Sequence, residues 1–197
     1  MGYSISWLAV KDADPDAVCK QLGLVRSGAF DEYYSYPAHS FLGGVLETGW
    51  YVVIRNRCDD PMVLDEVLSS ISAGSTVIAA SIEEHVMFCF ATCWSKGQEI
   101  WRVQHEAEKG ITDLQVSGAP PAELEDIRQR AFIRQMVEGA DNAEVDYIFD
   151  VPLHLAKSFV GFKHDENAPG PELEFFEILR VDEAAADSPP KRKRRKL

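Results

Sequence analysis

The chain lacks the features on which familiar catalytic sites are built. No serine sits in a G-x-S-x-G elbow, no glycine run has the form G-x-G-x-x-G or G-x-x-x-x-G-K-[ST], and no H-E-x-x-H occurs. Nucleotide-binding and hydrolase readings therefore lose their usual supports. Cysteine is scarce. Cys19, Cys58, Cys89 and Cys93 include no C-x-x-C pair and are not flanked by a histidine pair at finger spacing, which excludes the common zinc patterns. Cys89 and Cys93 share a strand face, but side chains four residues apart along a strand lie roughly 13 Å apart, too far to bridge. Reduced, buried thiols are the expectation, and with them a cytoplasmic location. Long apolar runs are absent too: none approaches the roughly 20 residues needed to cross a bilayer, and Met1-Gly2-Tyr3-Ser4 lacks the basic and apolar regions of a signal peptide. No membrane contact and no cofactor are expected.

Positive charge is in short supply everywhere but one place. The chain has 20 Lys+Arg against 32 Asp+Glu, and six of the cations are consecutive: Lys191, Arg192, Lys193, Arg194, Arg195 and Lys196. Without them the remainder holds 14 cations against 32 anions, about −18. Such a body repels duplex DNA from most of its surface, so nucleic acid is admitted only through the tail, whose composition also suits an import receptor. With 197 residues and 46% apolar composition, the chain can bury one core. We expect a single α+β domain over residues 1–181, followed by a disordered linker and basic tail over 182–197, where apolar residues are too few to pay for ordering.

Two segments near the N-terminus share one grammar. Ser4–Val10 reads as a strand, Asp14-Pro15 as cap and first helical residue, Val18, Cys19 and Leu22 as a buried helical face, and Gly23 as the stop. Trp50–Arg55, Asp60-Pro61, the stripe Val63, Leu64, Val67, Leu68 and Ile71, and Gly74 repeat it. With strand-like sequence at Gly44–Thr48 and Thr76–Ile82, the order is that of a ferredoxin-like βαββαβ layer in an antiparallel or mixed sheet. Val86–Trp94 and Glu99–His105, joined by Ser95-Lys96-Gly97-Gln98, extend it as a hairpin. C-terminal helices are expected from Pro120-Pro121 to Gly139 and from Asp150 to Gly161, and a strand over Phe175–Val181.

Three groups of residues could act on something else. If the hairpin loop pairs Trp94 with Glu99, Met87 opposes Glu106 and His85 opposes Glu108, which gathers Glu83, His85, Glu106 and Glu108 on one face. Carboxylates around an imidazole suit acid–base work or a divalent metal, although a solvated turn over Glu83–His85 is the simpler reading and no metal site is assigned. A loop one residue different brings His85 toward Ala107 and Met87 toward His105 instead. Tyr33, Tyr34 and Tyr36, with His39, form an aromatic segment suited to partner recognition, since tyrosine gives large contact area with a polar tip. His154 and Lys157 share a helical face downstream of Asp146 and Asp150, and His164-Asp165-Glu166 reads as a polar loop.

Residues Val77–Glu108 and Val145–Lys157 resemble a family of small, uncharacterised bacterial proteins. That resemblance implies a bacterial cytosolic origin, carries no active site, and counts against nuclear import. The composite expectation is a non-enzymatic protein–protein interaction protein, an acidic, immunity- or antitoxin-like binder of a basic partner. The alternatives are a metal-assisted hydrolase using Glu83, His85 and Glu106, and nucleic-acid or import contact through the tail.

Overall fold

The computed structural model describes residues 2–32, 39–166 and 175–183. Nine strands form one sheet: β1 (Ser4–Lys11), β2 (Leu24–Glu32), β3 (Phe41–Val45), β4 (Trp50–Arg55), β5 (Thr76–Glu83), β6 (Phe88–Ser95), β7 (Gln98–Glu106), β8 (Gln115–Gly118) and β9 (Phe175–Val181). Their order is β2-β9-β3-β4-β1-β5-β6-β7-β8, with every neighbouring pair antiparallel. Four α-helices cover it: α1 (Pro15–Gln21), α2 (Asp65–Ile71), α3 (Glu123–Val137) and α4 (Asp150–Val160).

The two faces of the sheet bury separate cores. Ile5, Trp7, Val52, Ile54, Ile78 and Cys89 point toward α3 and α4, while Leu8, Val10, Val53, Val77, Phe90 and Trp94 point toward α1, α2 and the 3-10 turn at Pro61–Val63. This explains the near-continuous apolar runs of β1, β4, β5 and β6: strands covered on both sides need no polar face. β7 alternates buried and half-exposed residues, and all four residues of the edge strand β8 are exposed.

The strands read as the βαββαβ layer lie side by side in the order β3-β4-β1-β5, all antiparallel, with β3 placed a few residues earlier than Gly44–Thr48, but they are the centre of a larger, nine-stranded sheet. The α2 unit behaves as expected, since β4 and β5 run the same way with antiparallel β1 between them. The α1 unit carries an extra strand: between α1 and β3 the chain forms β2, which lies at the edge, four places from β1, with β9, β3 and β4 between. The C-terminal strand β9 is inserted in the sheet interior, which no local pattern announces. Two features of β2 and β3 accommodate it. Gly43 and Gly44 leave room for Tyr51 and for the Phe176 ring, which a Cβ at either position would strike. The buried Glu177 carboxylate accepts from Arg26 Nε at 2.6 Å and from Gly28 N–H at 2.8 Å, where β2 breaks register at a glycine with φ 71°.

Candidate functional site

At the end of the sheet where β5 turns into β6, residues of three strands line up. Glu83 on β5 pairs with Phe88 on β6, and Phe88 pairs with Glu106 on β7, so the three side chains share the face that α2 covers further along. The expected pairing of Trp94 with Glu99 forms, but the expected register beyond it does not. Ile100 is an extra residue on β7, so Cys93 opposes Trp101 and Phe88, rather than Met87, opposes Glu106. Residues 84–87 form the turn between β5 and β6.

The row borders a cleft of about 280 Å³ lined by Cys58, Asp59, Glu83, Val86, Phe88, Glu106 and Glu108. Asp59 is carried by the loop after β4, which serine hydroxyls tie to the sheet: Ser4 Oγ accepts from Cys58 N–H at 3.4 Å and Ser81 Oγ from Asp59 N–H at 3.3 Å. Glu83 is saturated with donors. Its Oε2 accepts from Ser4 Oγ at 2.7 Å and Cys58 Sγ at 3.1 Å, and its Oε1 from His85 N–H at 3.2 Å. Led by the Ser4 bond, these donors outweigh burial and hold the Glu83 carboxyl down at about 2, fixing it as an anion. The Cys58 thiol is pushed up, by burial first and then by the neighbouring carboxylates, so it sits there as a neutral donor.

Glu106 pairs with Lys109 at 2.5 Å, whereas Glu108 and Asp59 are exposed. Four carboxylates thus ring an apolar floor of Phe88 and Val86 with one lysine at the margin. The arrangement can hold a cation that has an apolar stem or a planar face: carboxylates for the charge, the aromatic ring for the face.

Of the residues expected here, Glu83 and Glu106 line the cleft and His85 does not. Its Nδ1 lies 2.5 Å from Glu83 Oε1 on the exposed turn. Among the described residues no group of three His, Cys, Asp or Glu side chains is arranged to hold a metal ion. His39 lies 2.7 Å from Asp31 Oδ2; Tyr33, Tyr34, Tyr36 and the basic residues 191–196 lie outside the described residues.

A second polar centre, which sequence reasoning missed, lies in the core under α4. His105, fully buried on β7, directs Nδ1 to the Asp113 carbonyl at 2.6 Å and Nε2 to Asp146 Oδ2 at 2.9 Å. Both ring nitrogens face acceptors, which the doubly protonated imidazolium satisfies best. Burial opposes that charge, yet Asp146 and the Asp113 carbonyl override it and raise the pKa above 6.5. Asp146 Oδ1 meanwhile accepts from Ile148 and Phe149 N–H at 3.0 and 3.1 Å, closing the turn that leads into α4. Cys89, directly across from His105, donates instead to the Phe149 carbonyl at 2.9 Å, and burial pushes its thiol well up. With no ring nitrogen left to act as its base, this Cys-His-Asp trio is structural.

Among the described residues no helix is long and apolar enough to cross a membrane. Comparison of the chain with protein-family models, with curated proteins and with solved structures finds no match in any of the three.

Proposed function

We propose that the protein is a non-enzymatic protein–protein interaction module, an acidic, immunity- or antitoxin-like binder whose cleft at the β5–β6 turn receives a cationic side chain of a basic partner. The observation that carries this reading is the cross-strand row Glu83–Phe88–Glu106, with Asp59 and Glu108 beside it. An arginine entering it meets carboxylates within ion-pair reach and an aromatic ring to stack on, the combination that makes arginine an anchor residue at interfaces. Glu83 is kept ionised by its hydroxyl, thiol and amide donors, so no proton has to leave on binding. The excess of 32 acidic over 20 basic residues speeds encounter with a basic partner and makes association salt-sensitive. The tyrosine-rich segment beside His39 is a second contact region in this reading.

The test is capture from a bacterial lysate at low and moderate salt with the native protein and with the double variant Glu106→Lys/Glu108→Lys. A basic protein held at low salt, released as salt rises, and not held by the double variant is expected. Recovery of no such protein, or equal recovery by both baits, refutes the proposal.

A further inference from the structure

On the other side of the sheet the charged side chains that line one groove are mainly cationic. Between α3 and α4 runs a groove of about 520 Å³, within the size range of small-molecule sites. Arg130 and Arg134, four residues apart and so on one face of α3, look across it at His154 and Lys157 of α4, while Ile127, Ala131 and Val145 give it apolar walls. Among the described residues one carboxylate, Asp150, lines it, and that group is engaged by Lys163 at 3.1 Å, with His154 at 4.0 Å. Lys157 is paired with Glu166. Among the described residues Arg130 and Arg134 have no carboxylate partner, although Arg128 on the same helix is paired with Glu125 at 3.6 Å. Two guanidiniums without a carboxylate partner thus share one groove of a chain that has 12 acidic residues in excess. Arg134 is also held in place: its guanidinium stacks on the Tyr147 ring at 4.3 Å, which lowers the entropy lost when it grips a ligand.

We infer that this groove binds a small organic anion, a carboxylate or phosphate group on an apolar body. Arg130 and Arg134 grip the anion, their planar forks matching its oxygens in pairs, and His154 adds a donor from the facing helix. The apolar body lies against Ile127, Ala131 and Val145. The arginines give affinity and orientation; the apolar walls select against inorganic anions. This site is independent of the acidic cleft, which lies on the other face of the sheet.

Isothermal titration with phenyl phosphate, benzoate, inorganic phosphate and benzyl alcohol tests it, with backbone amide NMR shifts locating the site. Saturable binding of phenyl phosphate or benzoate, with shifts at Arg130, Arg134 and Tyr147, is expected, and neutral benzyl alcohol and inorganic phosphate bind at least about tenfold more weakly. Arg130→Gln and Arg134→Gln, both at exposed positions that folding tolerates, each weaken binding about tenfold, while Arg128→Gln removes the same charge from the same helix and leaves it unchanged. No saturable binding of either organic anion up to about 10 mM, equal binding of benzyl alcohol, or an unchanged affinity in both groove variants overturns the inference.

Discussion

Replacing Asp146 by alanine removes one side chain that serves two elements. The change deletes the 2.9 Å bond to the buried His105 Nε2 and the two bonds to Ile148 and Phe149 N–H that close the turn before α4. Breaking a buried charged pair from one side costs about 3–5 kcal/mol, because the charge left behind has neither water nor partner. Loss of the turn-closing acceptor costs about 1 kcal/mol, and the two are not additive because both sets of bonds hold the same loop. The expected loss is thus about 4 kcal/mol, a large part of the roughly 5–15 kcal/mol that holds a domain together. Asp146→Asn keeps an acceptor for the backbone and loses only the charge assistance, for about 1–2 kcal/mol.

The pH dependence sharpens this prediction. His105 has its pKa raised above 6.5 in the fold, so the stability it contributes is fully present below the unfolded value and drains away as pH rises through the folded one. Urea unfolding followed by tryptophan fluorescence, from about pH 5.5 to 8.5, measures both quantities. The native protein loses stability across that range from this group, and Asp146→Asn flattens the slope. A loss below about 1 kcal/mol in Asp146→Ala, or parallel pH slopes in the native protein and Asp146→Asn, refutes the argument that a charged imidazole is held there.

The same measurements reach other parts of the fold. Phe162→Ala, which empties a fully buried site between Trp7 at 5.4 Å and Phe176 at 6.5 Å, lowers stability by about 3–5 kcal/mol in urea unfolding. Gly118→Ala places a Cβ against the Ile100 carbonyl at φ 74° and detaches the edge strand β8, seen as fast amide exchange at Gln104 and Gln115 with the central strands still protected. Glu83 contributes stability above 4.5 that is lost as pH falls through about 2, so Glu83→Gln moves the acid-unfolding midpoint upward, read by circular dichroism. Ellman titration of the folded protein gives a single faster thiol, Cys58, because Cys58 is half-buried whereas Cys19, Cys89 and Cys93 are buried.

Local chemistry made some of this legible in advance. The Asp14-Pro15 start of α1 stands as read, with the Asp14 carboxylate accepting from Asp16 N–H, and Gly161 ends α4 at φ 81°. Asp60-Pro61, read as the start of a helix, opens instead a 3-10 turn at Pro61–Val63, and α2 begins at Asp65. β2 and β8 escaped the reading. Leu24–Glu32 carries Arg26, Ser27 and Gly28 in its middle, where Glu177 supplies the bonds that its own pattern lacks, and Gln115–Gly118 buries no side chain at all. Glu83 and Glu106 were grouped from a hairpin register that the bulge at Ile100 then displaced by one residue, and they still meet because Phe88 bridges them. The Asp146 contact with His105 had no signal in the sequence, since 41 residues separate the two.

Composition and short-range pattern by themselves determined that the chain mixes strands and helices, where most of its helices start and stop, and that no described helix is long and apolar enough to cross a membrane, because capping, turn residues and apolar period act within a few residues of one another. Tertiary structure alone decided the strand order, the insertion of β9 between β2 and β3, the register that builds the acidic cleft, and the cationic groove between α3 and α4. These rest on pairings between segments far apart in the chain, where the free energy of burying both faces of one sheet outweighs any local preference.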